Sequence, residues 1–242
     1  MPSPTLASLP APPYATALIV GAGPGLGASL ARVFTRDGGL RVMVAARQRD
    51  ALEVIARETG AQVATCDATD AASVAALFDA AQAHFGAPPE VVVYNASRRV
   101  RGAFVDVDAA AVEQAVRVTA FGAFLVAQQA ARRMVPQGRG AILFTGASAG
   151  VKGFPQSAAF AMGKFALRGL AQSLARELSP LGIHVGHVVV DGGIRPPGAA
   201  GADAKDDRLD PDAIAASYLH LLTQPRNAWT WEIEVRPWVE RF

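Results

Sequence analysis

The sequence predicts an α/β fold, a doubly wound parallel sheet of about seven strands with helices on both faces. Three observations carry this. Short apolar runs alternate with longer helical patterns along the whole chain, the spacing of βαβ units. No internal repeat interrupts the alternation and no linker-like stretch divides it. A glycine-dense turn, "VGAGPGLG" (20–27), joins the first apolar run to the first helical pattern.

In order, "ATALIV" (15–20) reads as a buried strand, and the helix after the glycine turn runs through "LGASLARVFTRDG" (26–38). "LRVMVAA" (40–46) is the second strand, followed by the helix "RDALEVIARETG" (49–60). "AQVATCDAT" (61–69) is the third, leading into "DAASVAALFDAAQAHFG" (70–86). "EVVVYNAS" (90–97) is the fourth, and one long helix is expected across 109–135. "GAILFTGAS" (140–148) is the fifth. The helix behind it contains "SAAFAMGK" (157–164), with Leu167, Leu170, Leu174 and Leu178 at helical spacing. "IHVGHVVV" (183–190) is the sixth strand, an irregular Gly/Pro segment covers 191–201, and a helix lies near 211–222. "WTWEIEVRP" (229–237) closes the sheet as the seventh. Residues 14–242 form one domain on this reading, and the Pro-rich residues 1–13 form a loose arm.

Composition narrows the function. The 242 residues are 51% hydrophobic, a globular composition. The net charge is only +2 and no Lys/Arg block appears, which gives nucleic-acid binding no support. The lone Cys66 excludes an internal disulfide and suits a reducing compartment. The N-terminus lacks the basic start and apolar stretch of a signal peptide, and no apolar run is expected to span a bilayer. A cytoplasmic protein with no membrane partner is expected.

The glycine turn carries the first functional signal. Between a strand and a helix, such a turn presents free N–H groups and a partial positive charge to a pyrophosphate. The spacing is Gly21, Gly25 and Gly27, with Gly23 as an extra; the six-residue form counted from Gly21 fails at Leu26. This is a Rossmann-like dinucleotide site. The second strand ends in "VAARQR", where an NAD site usually has an acid. Ala46 leaves room, and Arg47 or Arg49 could meet a 2′-phosphate, so NADP(H) is the expected cofactor.

With "GAGPGLG", "CDATD", "YNAS" and the "FxxxK" helix in this order, the chain resembles the short-chain dehydrogenase/reductase family over nearly all its length. The resemblance implies that Asp67 and Ala68 flank the adenine, that Asn95 and Ala96 pack along the cofactor, and that Lys164 holds the nicotinamide ribose. It also implies dimers or tetramers, a small-molecule substrate, and a proton relay of tyrosine, lysine, serine and asparagine. Carried over one by one, only the lysine is kept, as Lys164. The tyrosine position is Phe160, the serine position Ala147 and the asparagine position Thr119. Phe160 does not titrate, so the standard relay is absent. A general acid–base contributes about 10² to 10⁴ in rate and an oxyanion donor roughly 10² to 10³, so little of the family's ordinary carbonyl reduction is expected to remain. Two readings stand open: hydride transfer with a non-standard proton donor, and NADP(H) binding without turnover by a sensor or partner subunit.

Ser148, Lys152, Arg98 and Tyr94 are the candidate replacement groups, although strand alternation points Ser148 away from Ala147's side. His184 and His187 fall on opposite faces of a strand, and His84 and His220 lack companions at ligand spacing; no metal is expected. Asp191, before Gly192 and Gly193, is read as a turn former or a ligand contact. The segment 191–208 is expected to close over the substrate. Trp229, Trp231 and Trp238 crowd the C-terminus, with Trp231 read as core and Trp238 as interface.

Overall fold

The computed structural model describes residues 11–197 and 207–240. Residues 1–10 of the expected arm and 198–206 of the Gly/Pro segment lie outside the described residues. Seven strands form one sheet: β1 (Thr16–Val20), β2 (Arg41–Ala46), β3 (Gln62–Thr65), β4 (Val91–Tyr94), β5 (Gly140–Thr145), β6 (Ile183–Val190) and β7 (Glu232–Val235). Their order is β3-β2-β1-β4-β5-β6-β7 and every pairing is parallel. The chain winds outward from β1 to β3, then crosses back to lay β4 on the other side of β1. That reversal opens a crevice at the C-terminal ends of the strands, where such sheets take ligands.

Pleating sends Ala17 and Ile19 of β1 to one face and Leu18 and Val20 to the other. The first face is covered by α1 (Leu26–Arg36), α2 (Arg49–Thr59) and α7 (Pro211–Thr223), the second by α3 (Ala71–Phe85), α5 (Gly122–Met134) and α6 (Ala158–Leu178). Each face is anchored by a fully buried phenylalanine, Phe34 and Phe78, whose burial contributes about 1.5–3 kcal/mol apiece. α2 and α3 stop at Gly60 and Gly86, both with positive φ. Asp70 and Asp210 cap the starts of α3 and α7. α1 alone of these three starts on a glycine, Gly25, with no side-chain cap.

Several expectations need correction. The helix expected over 109–135 is α4 (Ala109–Val116), a π-helical turn at Arg117–Phe121, then α5. The hydroxyl of Tyr94 reaches this turn and donates to the Val118 carbonyl, claiming an acceptor that a regular ladder would use. By length and apolar composition Ala109–Gln137 does reach a bilayer span, with a mean hydropathy of 1.4 over its most apolar window. Its inner side, including Ala123, Val126 and Ala130, packs in the second core. β3 ends at Thr65, short of the expected Thr69, because the Asp67 carboxylate accepts from the N–H and hydroxyl of Thr69 at 2.9 and 2.8 Å and bends the chain. β7 likewise begins only at Glu232, after Trp229 and Trp231.

Candidate active site

Two adjoining cavities lie along the C-terminal ends of the strands. The first, about 250 Å³, is lined by Gly21, Arg47, Cys66, Asp67, Ala68, Asn95 and Ala96. The second, about 390 Å³, is lined by Leu26, Asn95, Arg99, Thr145, Ala147, Ser148, Phe160 and Lys164. Asn95 and Ser97 belong to both.

The glycines of the turn do two different jobs. Gly21 has φ +84°, and a Cβ there would stand 2.3 Å from the Ala96 nitrogen. At Gly27 it would meet the Ala22 Cα at 2.7 Å. These two let the chain pack. At Gly23 and Gly25 a Cβ would meet nothing within 4 Å. Space there is open toward the uncapped start of α1, which is what a bound pyrophosphate requires.

The two arginines after β2 differ in their partners. Arg49 pairs with Glu53 at 2.8 Å along α2. Arg47 lines the first cavity and has no carboxylate within ion-pair distance among the described residues. Asp67 stays on the same cavity, its carboxyl held below the usual range first by its bonds from Thr69, then by the charges of Arg47 and Arg117. Cys66 is buried at this wall, and burial pushes its thiol up.

A buried chain of hydrogen bonds ties the two cavities together. Lys164 is 2% exposed, and its ammonium donates to the Thr145 carbonyl at 2.7 Å. The Tyr218 hydroxyl donates to Thr145 Oγ1 at 2.8 Å, and Oγ1 donates to Asn95 Oδ1 at 2.9 Å. Asn95 Nδ2 donates to the Gly21 carbonyl at 3.0 Å. Desolvation with no acidic neighbour pushes Lys164 down to about 7. Burial pushes Tyr218 the other way, well up from the phenol range. Thr145 and Tyr218 escape sequence reasoning. Tyr218 looks like one more apolar residue of α7, and only the fold carries it across to β5.

Phe160 is half-buried, its ring centre 5.6 Å from Lys164 Nζ. Ala147 lines the same cavity in extended backbone. Ser148 does line this cavity, against the alternation argument: β5 ends at Thr145, and Ser148 begins a short 3₁₀ turn where alternation no longer applies. Thr119 does not join the others. It is buried in the π turn behind α6, against Gly163, where its Oγ1 accepts from the Arg98 N–H at 3.3 Å.

Among the other candidates, Lys152 lies 3.6 Å from Asp191 and over the Phe154 ring. Asp191 is buried and paired with Arg236 at 2.9 Å. Tyr94 is a packed strand aromatic, its phenol raised by burial. His184 stacks on Trp229, and His187 meets Glu232 at 2.9 Å. Trp231 packs against the second core and Trp238 is 80% exposed. Among the described residues no three His, Cys, Asp or Glu side chains are placed to share a metal ion.

Residues 15–205 match the family model of the short chain dehydrogenases. The chain belongs to this family. A short-chain dehydrogenase of known structure from Rhodopseudomonas palustris is 34% identical, with a TM-score of 0.80 over 93% of this chain and 99% of its own. The alcohol dehydrogenase of the archaeon Thermococcus sibiricus, solved with 5-hydroxy-NADP, is 25% identical with a TM-score of 0.82 over 94% and 98%. An uncharacterized oxidoreductase of Staphylococcus aureus strain N315 is 28% identical over 227 residues, 91% of this chain and 96% of that protein. As a short-chain dehydrogenase, this chain offers two things at one crevice: a glycine-lined cradle, and beyond it a chamber whose described lining includes one lysine and no phenol.

Proposed function

We propose that the protein is an NADP(H)-dependent oxidoreductase that moves hydride to or from a small organic substrate, with Lys164 in place of the family's tyrosine as proton source. One observation carries the proposal. Among the described residues lining the second cavity, Lys164 is the side chain that exchanges a proton near neutral pH, since Phe160 and Ala147 have none to give and Arg99 keeps its own.

Gly21, Gly25, Leu26 and Gly27 would hold the pyrophosphate, Arg47 the 2′-phosphate, Asp67 and Ala68 the adenine, Asn95 and Ala96 the adjoining length, and Lys164 the ribose. The Thermococcus sibiricus structure with an NADP derivative supports the cofactor choice. NADP(H), when bound, supplies or accepts the hydride. In the reducing direction Lys164 gives its proton to the substrate oxygen, or to the carbon of an activated alkene, and regains one from solvent. Thr145, fixed by Tyr218, holds the lysine. Ser148, one residue from the family's serine position, donates to the developing oxyanion. The second reading, binding without turnover, is favoured by the replaced tyrosine, serine and asparagine positions. Against it, a sensor needs only the first cavity, and the second still offers about 390 Å³.

Calorimetric titration tests the cofactor. NADPH is expected to bind in the micromolar range and NADH much more weakly, and Arg47→Gln is expected to cost NADPH about tenfold while leaving NADH unchanged. No binding of either nucleotide would end the enzyme reading.

The family resemblance also supports a homodimer or homotetramer, and the lone cysteine a reducing, cytoplasmic compartment. Phe121 and Phe124, stacked at 6.1 Å, and Met162 and Phe165 expose an apolar face on the π turn, α5 and α6. Sedimentation equilibrium is expected to find an assembly; a monomer at micromolar concentration would remove it.

A further inference from the structure

The loop after β4 carries three arginines, Arg98, Arg99 and Arg101, of which Arg99 lines the second cavity. Several guanidinium groups elsewhere meet acids: Arg32 with Glu58 and Asp212, Arg168 with Glu232, Arg195 with Asp210. Among the described residues no carboxylate lies within ion-pair distance of these three. Arg99 is the one that lines the cavity. Its guanidinium carbon stands 5.3 Å from the centre of the Phe160 ring, the same ring that Lys164 Nζ approaches at 5.6 Å. Partial burial and the like charge of Arg101 both disfavour its ionised form.

Arg99 is exposed at the cavity wall, so an anion can reach its guanidinium, which no carboxylate of the described residues occupies. Its planar fork fits a carboxylate or a phosphate through two parallel bonds. Phe160 then has a use of its own. The ring has no hydroxyl for proton transfer, but its face carries the arginine.

We infer that the substrate is a small organic anion, a carboxylate or phosphate monoester, gripped by Arg99 while its reducible carbonyl or activated alkene faces Lys164. This rests on the reading of the second cavity as the substrate chamber. Because both cations stand over one ring, only a few bonds separate the anionic group from the reacting carbon. Arg47 and Arg99 then play matching parts at the two ends of the crevice, each an unpaired arginine awaiting an anion, one on the cofactor and one on the substrate.

The test is calorimetry on protein saturated with NADP⁺, using two matched pairs: 4-oxopentanoate against its methyl ester, and dihydroxyacetone phosphate against dihydroxyacetone. In at least one pair the anion is expected to bind tenfold or more tighter than its neutral mate, and which pair does so tells carboxylate from phosphate. Arg99→Gln is expected to close that gap while leaving NADP⁺ affinity and melting temperature unchanged; Arg99→Lys, which keeps charge but loses the fork, should retain part of it. Raising salt should weaken the anion on wild type and not on Arg99→Gln. Equal binding of acid and ester and of phosphate and diol, or a gap that survives Arg99→Gln, overturns the inference. If NADP⁺ itself does not bind, the cofactor proposal fails separately. The same pairs run on the free protein then decide the anion site alone.

Discussion

The two ends of the crevice are built from different materials. At the end beneath β1, β2 and β4, binding is shaped mainly by backbone: glycines that allow a turn, amides left uncapped at α1, and a strand end with room for Arg47. Under β5 and α6 the cavity depends on single side chains, and there Phe160 and Ala147 stand where the family resemblance leads one to expect a tyrosine and a serine. A backbone-built site is hard to lose piecemeal, because its parts also pack the fold. A side-chain site changes one residue at a time without cost to the core. That is why the cradle is familiar and the chamber is not.

The comparison breaks first at Lys164. Lys164→Met is expected to lower turnover by about 10² to 10⁴. The same change should stabilise the fold, since it removes a buried cation without an acidic partner. The folded lysine, pushed down to about 7, lies below its ordinary 10.5, so between these values the unfolded chain holds the extra proton. Wild-type stability therefore rises with pH across that window from this group, and is unaffected by it below about 7. Melts at pH 6, 8 and 9 should show the gain of Lys164→Met largest at pH 6 and shrinking upward. Reduction by wild type, which needs the ammonium, should decline as pH rises through about 7.

Next in size, Phe160→Tyr with Ala147→Ser restores a phenol and a hydroxyl. Carbonyl reduction over a substrate panel is expected to rise about tenfold to a hundredfold. No rise would mean that the missing relay is not what limits the chemistry.

The smallest effects sharpen the other end. Gly21→Ala forces a Cβ into the Ala96 backbone at positive φ and is expected to cost about 1–3 kcal/mol in urea unfolding. Gly23→Ala has open space and should stay within about 0.5 kcal/mol, yet weaken NADPH by crowding its phosphates. If both variants behaved alike, the division between packing glycines and binding glycines would collapse.

Much of this was legible early. The strands announce themselves as apolar runs between glycines, and the cradle follows from a turn that joins strand to helix. The rest depends on partners and on element ends that the pattern does not register. Arg47 and Arg49 look equivalent until Glu53 claims the second. Arg98 was the arginine picked out by position, but the loop turns Arg99 into the cavity and leaves Arg98 bonded through its backbone to Thr119. Alternation pointed Ser148 away because it assumed a strand that had already ended. The π turn depends on a hydroxyl from another strand, which periodicity cannot register.

The sequence by itself determined the doubly wound sheet, the glycine turn, the lysine one helical turn after Phe160, and the absence of a phenol at that place. These are local matters of period, turn chemistry and side-chain inventory. Tertiary structure alone decided that Thr145, Tyr218 and Asn95 form one chain of hydrogen bonds beneath Lys164, and that Arg99 rests on Phe160. It also decided that the lysine is buried deeply enough to yield its proton near neutral pH. Burial and partnership belong to packing between segments that meet only in the fold, and these set the free energy of a charge.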